Sequence, residues 1–323
     1  MQGGPCVSYR ESCERIKVVY KTDISVEIGS LKMKNPILPG SGCYGYFAEN
    51  ANCFPMSELG AVMVKTVFRT PHEGNPEPRL YELFGGMMNS VGIPSEGIEK
   101  FIATKLPKFE TIGTQVVMSI AGATAQDYAE SVELLDDIPY VNAIEMNLSC
   151  PNVRTGLPVS SSGQMYLDVL KATRQKTKKT LIAKLSPMIT EITTVAKIAE
   201  NEGMDAVTVA NSYPSMVIDI EKKRPVFARK IAGFSGASIK PQTMRMVYQV
   251  YEAVRIPIIA SGGVTCWQDA VEYVMAGAKA VEVGTINFAD PMAMKDIVYG
   301  MDEFLSTHGY GSLEEIRGCA HEE

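Results

Sequence analysis

The sequence contains no Cys-x-x-Cys pair, and its cysteines are few and scattered. They are an odd number, seven in 323 residues: Cys6, Cys13, Cys43, Cys53, Cys150, Cys266 and Cys319. A chain of this length can bury a large core without disulfide bonds, so we expect reduced thiols. The spacing also disfavours a structural zinc site or a self-contained iron–sulfur cluster, and we expect no bound metal ion.

Basic clusters and long apolar runs near the start of the chain are lacking as well. The net charge is -6, and the lysines and arginines are dispersed, which disfavours a nucleic-acid-binding surface. The first thirty residues lack the apolar core of about 7 to 15 residues that a secretory signal has. They instead contain Arg10, Glu11, Glu14, Arg15 and Lys17. We therefore expect a cytoplasmic protein.

Eight short apolar runs recur along the chain, each closing on a small or polar residue. They span residues 36–40, 61–66, 115–120, 143–147, 181–185, 206–211, 257–261 and 280–285. Their apolarity is continuous rather than alternating, which is typical of parallel strands buried on both faces. Helix-like apolar periods lie between many of them, at 126–135, 166–175, 191–202, 240–253 and 269–275.

This repeat predicts an α/β fold, a single (β/α)8 TIM barrel over residues 23–323, with residues 1–22 as an N-terminal arm. Two gaps between runs, at 67–114 and 212–236, are longer than a crossover needs. We expect them to hold inserted loops over the carboxyl-terminal mouth of the barrel. Enzymes with this fold build their active sites at that mouth, so the residues that close each strand are the functional candidates.

Two lysines interrupt apolar strands at the predicted mouth, Lys65 in the second run and Lys184 in the fifth. Lysine is almost never buried without a partner, because desolvating an isolated ammonium group is very unfavourable. Each lysine could extend to a carboxylate at the rim. The presence of both favours an electron-rich ligand instead.

Glycine follows the last two runs, in Ser261-Gly-Gly-Val264 and Gly284-Thr-Ile286, ahead of apparent helix starts at Gln268 and Asp290. Loops of this kind form the phosphate site of many (β/α)8 barrels, where backbone N–H groups and a helix dipole face the anion. A tight turn would explain one Gly-Gly pair equally well. Glycine after both strands predicts a phosphate group, with Gly233-Phe-Ser-Gly236 as a further source of donors.

The fourth run leads into Asn147-Leu-Ser-Cys-Pro-Asn152, which holds a thiol between two carboxamides. Pro151 biases Cys150 toward an extended conformation, and packing explains such a segment poorly. Carboxamides offer donors and acceptors, which suits a neutral ring with amide-like edges, although they also form turns. Four of them lie near strand ends: Asn89, Asn147, Asn152 and Asn211.

These motifs resemble those of the class 1 dihydroorotate dehydrogenases, in which a cysteine is the catalytic base. The resemblance runs from about Asp23 to the C-terminus. It is carried by residues 39–45, 65–66, 74–79, 89–92, 147–153, 183–186, 235–241 and 284–291. Gly284-Thr-Ile-Asn-Phe-Ala-Asp-Pro291 and Ser41-Gly-Cys-Tyr-Gly45 are most similar to class 1B, the NAD-linked catalytic subunits.

The resemblance implies one FMN per chain as cofactor. It assigns the flavin phosphate to Gly236, Gly262, Gly263, Gly284 and Thr285. It assigns the isoalloxazine and ribityl chain to Ser41, Gly42 and Thr66. Lys184 would lie near the N1/C2 edge, where negative charge accumulates on reduction. Lys65 and Asn147 would contact both flavin and substrate.

The implied reaction is the oxidation of (S)-dihydroorotate to orotate in UMP biosynthesis. Cys150 would remove the C5 proton while hydride passes from C6 to flavin N5. The resemblance assigns pyrimidine binding to Lys65, Asn89, Val91, Gly92, Ile93, Asn147, Asn152, Asn211 and Ser212. Class 1B enzymes pass electrons on to FAD and a 2Fe-2S cluster in a second subunit, and then to NAD. The resemblance therefore implies a homodimer, or a heterotetramer with an iron–sulfur flavoprotein subunit.

Other functions fit part of the sequence. Dihydropyrimidine dehydrogenase has a similar barrel and a related Asn-x-Ser-Cys-Pro motif, and it acts on uracil or thymine. A flavin-free lyase would form a Schiff base with a phosphorylated carbonyl compound at Lys65 or Lys184, but it gives Cys150 and the asparagines no role. A catalytically silent scaffold would fold and show neither activity.

Overall fold

The computed structural model describes residues 20–45, 53–149 and 163–322, which contain eighteen β-strands and seven α-helices. The strands are β1 Val26–Ile28, β2 Leu31–Met33, β3 Ile37–Pro39, β4 Ala61–Phe68, β5 Pro71–His72, β6 Leu80–Leu83, β7 Gly86–Asn89, β8 Ser95–Glu96, β9 Gln115–Ala121, β10 Ala143–Asn147, β11 Thr180–Lys184, β12 Ala206–Val209, β13 Tyr213–Ser215, β14 Ile218–Asp219, β15 Arg224–Pro225, β16 Ala232–Ser235, β17 Ile258–Ser261 and β18 Ala280–Val283. The helices are α1 Ile98–Thr104, α2 Ala125–Asp136, α3 Gln164–Arg174, α4 Ile192–Asn201, α5 Lys240–Ala253, α6 Trp267–Met275 and α7 Ala293–Thr307.

Eight strands form one parallel sheet in the order β3-β18-β17-β12-β11-β10-β9-β4. The two outer strands lie next to each other, since the Gly60 N–H, just before β4, donates to the Ile37 carbonyl at 3.0 Å. These strands are the eight apolar runs of the sequence, and they are buried on both faces as their composition predicts. The prediction of a (β/α)8 barrel is confirmed.

Helices cover the outside of this sheet, one after each barrel strand from β4 onward. The five segments found from apolar periodicity lie within about two residues of α2 to α6. The helix α7 begins at Ala293 rather than near Asp290, because residues 290–292 form the turn that precedes it. In that turn the Asp290 carboxylate accepts from the Met292 N–H at 2.9 Å. No described helix is long and apolar enough to cross a membrane.

The amino end of the barrel is covered by the antiparallel hairpin of β1 and β2. Its turn packs against β11, where the Ser30 N–H donates to the hydroxyl of Thr180 at 2.8 Å. Thr180 is the first residue of that strand, so the hairpin closes the end of the barrel opposite the mouth.

Both predicted insertions carry strands, and these strands pair with each other. The first insertion supplies β6 and β7, the second supplies β13 and β16, and together they form an antiparallel sheet in the order β13-β16-β7-β6. The Thr285 hydroxyl, just beyond β18, donates to that of Ser235 in β16 at 2.8 Å. The small sheet therefore lies against the carboxyl edge of the barrel, which confirms inserted structure over the mouth.

Candidate active site

The carboxyl ends of the barrel strands meet at one edge, and the predicted site residues lie at that edge. Asn147 is the last residue of β10, and Lys184 is the last residue of β11. The others follow strands: Ser41 and Gly42 after β3, Asn89 at the end of β7, Val91, Gly92 and Ile93 after it, Asn211 and Ser212 after β12, Gly236 after β16, Gly262 and Gly263 after β17, Gly284 and Thr285 after β18. Cys150 and Asn152 lie outside the described residues.

Lys65 and Thr66 lie inside β4 rather than at its end, because the strand continues to Phe68. Its register against β9 shifts between Val64 and Val67. Such a β-bulge changes the direction in which side chains point and is common beside active sites. The hydroxyl of Thr66 is buried and lies 2.9 Å from that of Ser119.

The Lys65 ammonium group is half-buried and donates to the carbonyl of Pro94 at 2.6 Å. Burial lowers the pKa of Lys65, and the nearby charge of Lys105 lowers it further. The preceding residue, Ile93, has a φ of 48°, a left-handed conformation that β-branched residues rarely adopt. Strained backbone of this kind persists only where its surroundings hold it in place. Residues 91–94 therefore form a fixed wall beside the lysine.

Lys184 is buried, with 4% of its surface exposed, and its ammonium group lies between two carboxylates. It contacts Glu282 of β18 directly, and Glu145 of β10 is 3.6 Å away. Burial lowers the pKa of Lys184, but the two carboxylates raise it more, so the amine is held protonated. The partners of this lysine are thus interior carboxylates and not carboxylates at the rim.

Hydroxyl groups from neighbouring strands surround the two glutamates. Thr208 donates to Glu145 at 2.9 Å, and Ser261 donates to Glu282 at 2.8 Å. The Ser119 hydroxyl lies 3.5 Å from Glu145, so it links the cluster to Thr66. The Oε1 atom of Glu282 is buried and has no hydrogen-bond partner among the described residues.

The charge balance of the cluster accounts for the raised pKa of Glu145. Burial, then the neighbouring Glu282 carboxylate, raise the pKa of Glu145 to about 8, although Lys184 opposes this shift. One ammonium group cannot compensate two buried carboxylates, so the second carboxyl group is stabilised by keeping its proton.

Sequence reasoning missed Glu145 and Glu282, although a signal was present. Each is a carboxylate in the middle of an apolar run, Ala143-Ile-Glu-Met146 and Ala280-Val-Glu-Val283. The argument that singled out the buried lysines applies equally to them. Ser119 and Thr208 give no such signal, because one hydroxyl does not interrupt an apolar pattern.

A pair of carboxamides occupies the mouth beside this cluster. Asn211 Nδ2 donates to Asn147 Oδ1 at 3.0 Å, and the Ser149 N–H donates to the same oxygen at 3.3 Å. Asn211 Oδ1 in turn accepts from the Ser212 N–H at 2.8 Å. These bonds fix both amide planes, and no contact within the described parts of the chain uses Asn147 Nδ2, which can donate to a ligand.

Glycines keep the space beside β3 and β18 open. Among the residues that the structure describes, a Cβ atom on Gly42 would meet nothing within 4 Å, and one on Gly284 would meet only the Cys43 sulfur, at 3.5 Å. Burial raises the pKa of the Cys43 thiol to about 11, so the thiol is neutral. An uncharged, open wall of this kind can accept a flat ring.

Glycines precede two helices at the carboxyl edge of the barrel. Gly284 precedes a 3-10 helix, Thr285–Phe288, whose first N–H groups have no acceptor within the helix. The loop before α6 is held by Asp269, which accepts from the Thr265 N–H at 2.8 Å and pairs with Lys240. Gly262 and Gly263 precede this loop with φ of 148° and 73°. This geometry is suitable for binding a phosphate group.

We expect Gly263→Ala to destabilise the protein by more than Gly309→Ala. Both residues have a positive φ, 73° and 78°, which costs a non-glycine residue about 1–2 kcal/mol. A Cβ on Gly263 would also approach the Lys240 backbone nitrogen to 2.7 Å, whereas one on Gly309 meets nothing within 4 Å. Urea unfolding of both variants measures the difference, and equal losses would contradict the close packing.

The parallel barrel, with lysine, amide and glycine loops at its mouth, has the architecture of a (β/α)8 enzyme. The dihydroorotate dehydrogenase family model matches residues 23–305, and the chain belongs to that family. The family is FMN-dependent, and the chain is an oxidoreductase. The resemblance drawn from the sequence motifs is confirmed.

Three relatives illustrate the similarity, and each is named dihydroorotate dehydrogenase B (NAD(+)), catalytic subunit. The protein from Bacteroides thetaiotaomicron is 41% identical over 298 residues, 92% of this chain and 98% of the relative. The protein from Phocaeicola vulgatus is 41% identical over 300 residues, with coverages of 92% and 98%. The protein from Geotalea uraniireducens is 40% identical over 300 residues, with coverages of 93% and 98%.

Proposed function

We propose that this chain oxidises (S)-dihydroorotate to orotate in UMP biosynthesis, with FMN bound at the barrel mouth. Family membership and the names of relatives that match almost their full length support this proposal. The structural observation that carries it is the buried Lys184 at the end of β11, paired with Glu282 and next to the Asn147–Asn211 pair.

FMN fits the residues that line the mouth. The phosphate would be held by donors at the glycine-rich ends of three segments: Gly236, Gly262, Gly263, Gly284 and Thr285. The ring would lie along Ser41, Gly42 and Thr66, where Gly42 leaves open space. Lys184 would stabilise negative charge on the ring, because an ammonium group in a dry site acts strongly on a nearby charge. When bound, FMN supplies the acceptor for the two electrons and the hydrogen that leave C6 of the substrate.

The chain's own residues would orient the substrate and accept its proton. The amide edges of the pyrimidine would be bound by Asn89, Asn147, Asn152, Asn211 and Ser212. The Nδ2 group of Asn147 would donate to a carbonyl oxygen of the ring. Cys150 would accept the C5 proton as thiolate. Its motif, Asn147-Leu-Ser-Cys-Pro-Asn152, supports this role.

Charge at the mouth favours an anionic substrate. The Lys65 ammonium group lies beside residues 91–94 and bonds only a neutral carbonyl, Pro94, among the described contacts. Its positive charge would then attract the carboxylate of dihydroorotate, which uracil and thymine lack. We therefore assign Lys65, Val91, Gly92 and Ile93 to the substrate.

The printed names of the relatives describe a catalytic subunit and NAD(+). We propose that this chain likewise transfers its electrons to a partner subunit, one that carries FAD and a 2Fe-2S cluster and reduces NAD. The assembly would be a homodimer of barrels, or a heterotetramer with that iron–sulfur flavoprotein.

The lyase alternative is disfavoured for Lys184. A Schiff-base lysine needs a neutral amine, and the carboxylates beside Lys184 instead raise its pKa. Lys65 has a lowered pKa and remains chemically able to form a Schiff base. Borohydride trapping of a phosphorylated carbonyl compound on Lys65 would support the lyase.

The dihydroorotate dehydrogenase and dihydropyrimidine dehydrogenase hypotheses predict different substrates. We expect anaerobic dihydroorotate to bleach the yellow band of the FMN-loaded protein rapidly, and dihydrouracil to bleach it about 10- to 150-fold more slowly, since a missing charged contact costs about 1.5–3 kcal/mol. Buffer without substrate is the control for photoreduction. Faster bleaching by dihydrouracil would contradict the assignment.

A further inference from the structure

The carboxyl groups of Glu145 and Glu282 are both fully buried, and the Lys184 ammonium group contacts Glu282 and lies 3.6 Å from Glu145. Two ionised carboxylates around one ammonium group would repel each other. Within the described ranges, Lys184 supplies the one positive charge that contacts them. With both glutamates ionised the cluster would carry a net charge of -1 in the barrel interior, where an uncompensated charge is very unfavourable.

The partners of the two glutamates differ. Glu282 contacts Lys184 directly and accepts from Ser261, whereas Glu145 is 3.6 Å from the ammonium group and accepts from Thr208. Glu282 Oε1 has no described hydrogen-bond donor although it is buried. A proton on Glu145 would add an O–H donor to the cluster and would make the cluster neutral.

The remaining groups that face the cluster cannot provide this proton or a compensating charge. From β9 and β4 the neighbours are the hydroxyls of Ser119 and Thr66, which are neutral. From the loop after β3 the neighbour is the Cys43 thiol, which is close enough to Lys184 and Glu282 to interact electrostatically and is itself uncharged. The two carboxyl groups and Lys184 therefore determine the charge among the described residues.

We propose that Glu145 and Glu282 share one proton beside Lys184 near neutral pH, and that the pair gains or loses this proton as the charge of bound FMN changes. The second half rests on the function proposed above. In this role the glutamates are positioning residues, because they act on FMN through the charge that Lys184 presents.

The coupling has a defined sign and balance. In the proposed reaction, two electrons and the C6 hydrogen would pass to FMN and the C5 proton to the base, so bound FMN would gain one negative charge. A negative charge nearby stabilises the protonated pair. Above the pH at which the pair loses its proton in the oxidised enzyme, reduction would therefore draw one proton from solvent to the pair.

The proton itself is tested by infrared difference spectroscopy on the full-length chain between pH 6 and pH 10, without added FMN. We expect the carbonyl band of one protonated carboxyl group at pH 6, lost above neutral pH, and absent in both Glu145→Gln and Glu282→Gln. Glu314→Gln is the control, because its ion pairs with Lys279 and Arg317 lie at the surface. A wild-type spectrum without this band, or a band that persists in Glu145→Gln, would overturn the shared proton.

The coupling is tested by the midpoint potential of bound FMN against pH. Above the pH at which the infrared band is lost, we expect the wild-type ratio of reduced to oxidised FMN at fixed potential to fall tenfold more per pH unit than in the Gln variants, equivalent to about 30 mV for two electrons. A merely structural role would move the potential without changing its slope, so parallel slopes would overturn the coupling. If the chain binds no FMN, the proposed function and the coupling fail together, whereas the infrared band still decides the shared proton.

Discussion

Cys150→Ala should retain FMN and its yellow colour, yet be bleached by dihydroorotate about 100 to 10,000-fold more slowly than the wild type. That range is the usual contribution of a general acid or base that is positioned at the reacting atom. Alanine has no group that can accept the C5 proton, so the two electrons cannot leave in the same step. Stopped-flow absorbance under anaerobic conditions measures the rate, and the bound FMN is counted from the initial spectrum.

The serine variant distinguishes the effect of the thiol's acidity from the effect of side-chain size. Cys150→Ser keeps a side chain of similar size but a hydroxyl of much higher pKa than the thiol, so it should also be slow at neutral pH. If the thiolate is the base, the wild-type rate rises with pH as the thiol ionises, and the alanine variant shows no such rise. Equal bleaching rates in the wild type and Cys150→Ala would remove the base assignment.

Lys184→Met should destabilise the protein by about 3–5 kcal/mol at neutral pH, the usual cost of removing one partner from a buried ion pair. The substitution leaves Glu145 and Glu282 buried without a cation in contact from the part of the chain that the structure describes. Both carboxyl groups would then take up protons in the folded state. The folded variant would bind more protons than the unfolded chain, so its stability would fall as pH rises above the ordinary range of a glutamate.

Two further variants test that explanation. Lys65→Met is the matched control: this lysine is half-buried and bonds a neutral carbonyl, so its loss strands no carboxylate and should cost less. Adding Glu282→Gln to Lys184→Met should restore part of the lost stability, because only one carboxyl group then remains to be protonated. Urea unfolding at several pH values measures all three. A double variant less stable than Lys184→Met would contradict the charge argument.

The barrel could be predicted because parallel strands buried on both faces must be continuously apolar. That pattern can be recognised within a short stretch of sequence. All eight runs became barrel strands, and the helix periods located α2 to α6. The ends of the strands were predicted less accurately than their positions. Lys65 and Thr66 were placed at the end of β4, but a bulge carries the strand on to Phe68.

The candidate site was partly accessible from the sequence for a similar reason. A lysine is easy to recognise in an apolar run because its charge differs from its neighbours. Glycine after a strand is recognisable because it has no side chain. Pairing across the barrel is not local information. Glu145 and Glu282 are 137 positions apart, and nothing in either run indicates that both reach Lys184.

From its sequence alone this chain was determined to be a (β/α)8 barrel of the dihydroorotate dehydrogenase family, because strand apolarity and the site motifs are contiguous patterns. Tertiary structure decided which charges meet. It closed the sheet, joined the two insertions into one small sheet over the mouth, and set two glutamates against one lysine. Electrostatic energy depends on distances between side chains and on their burial, and both arise only when strands distant in sequence become neighbours.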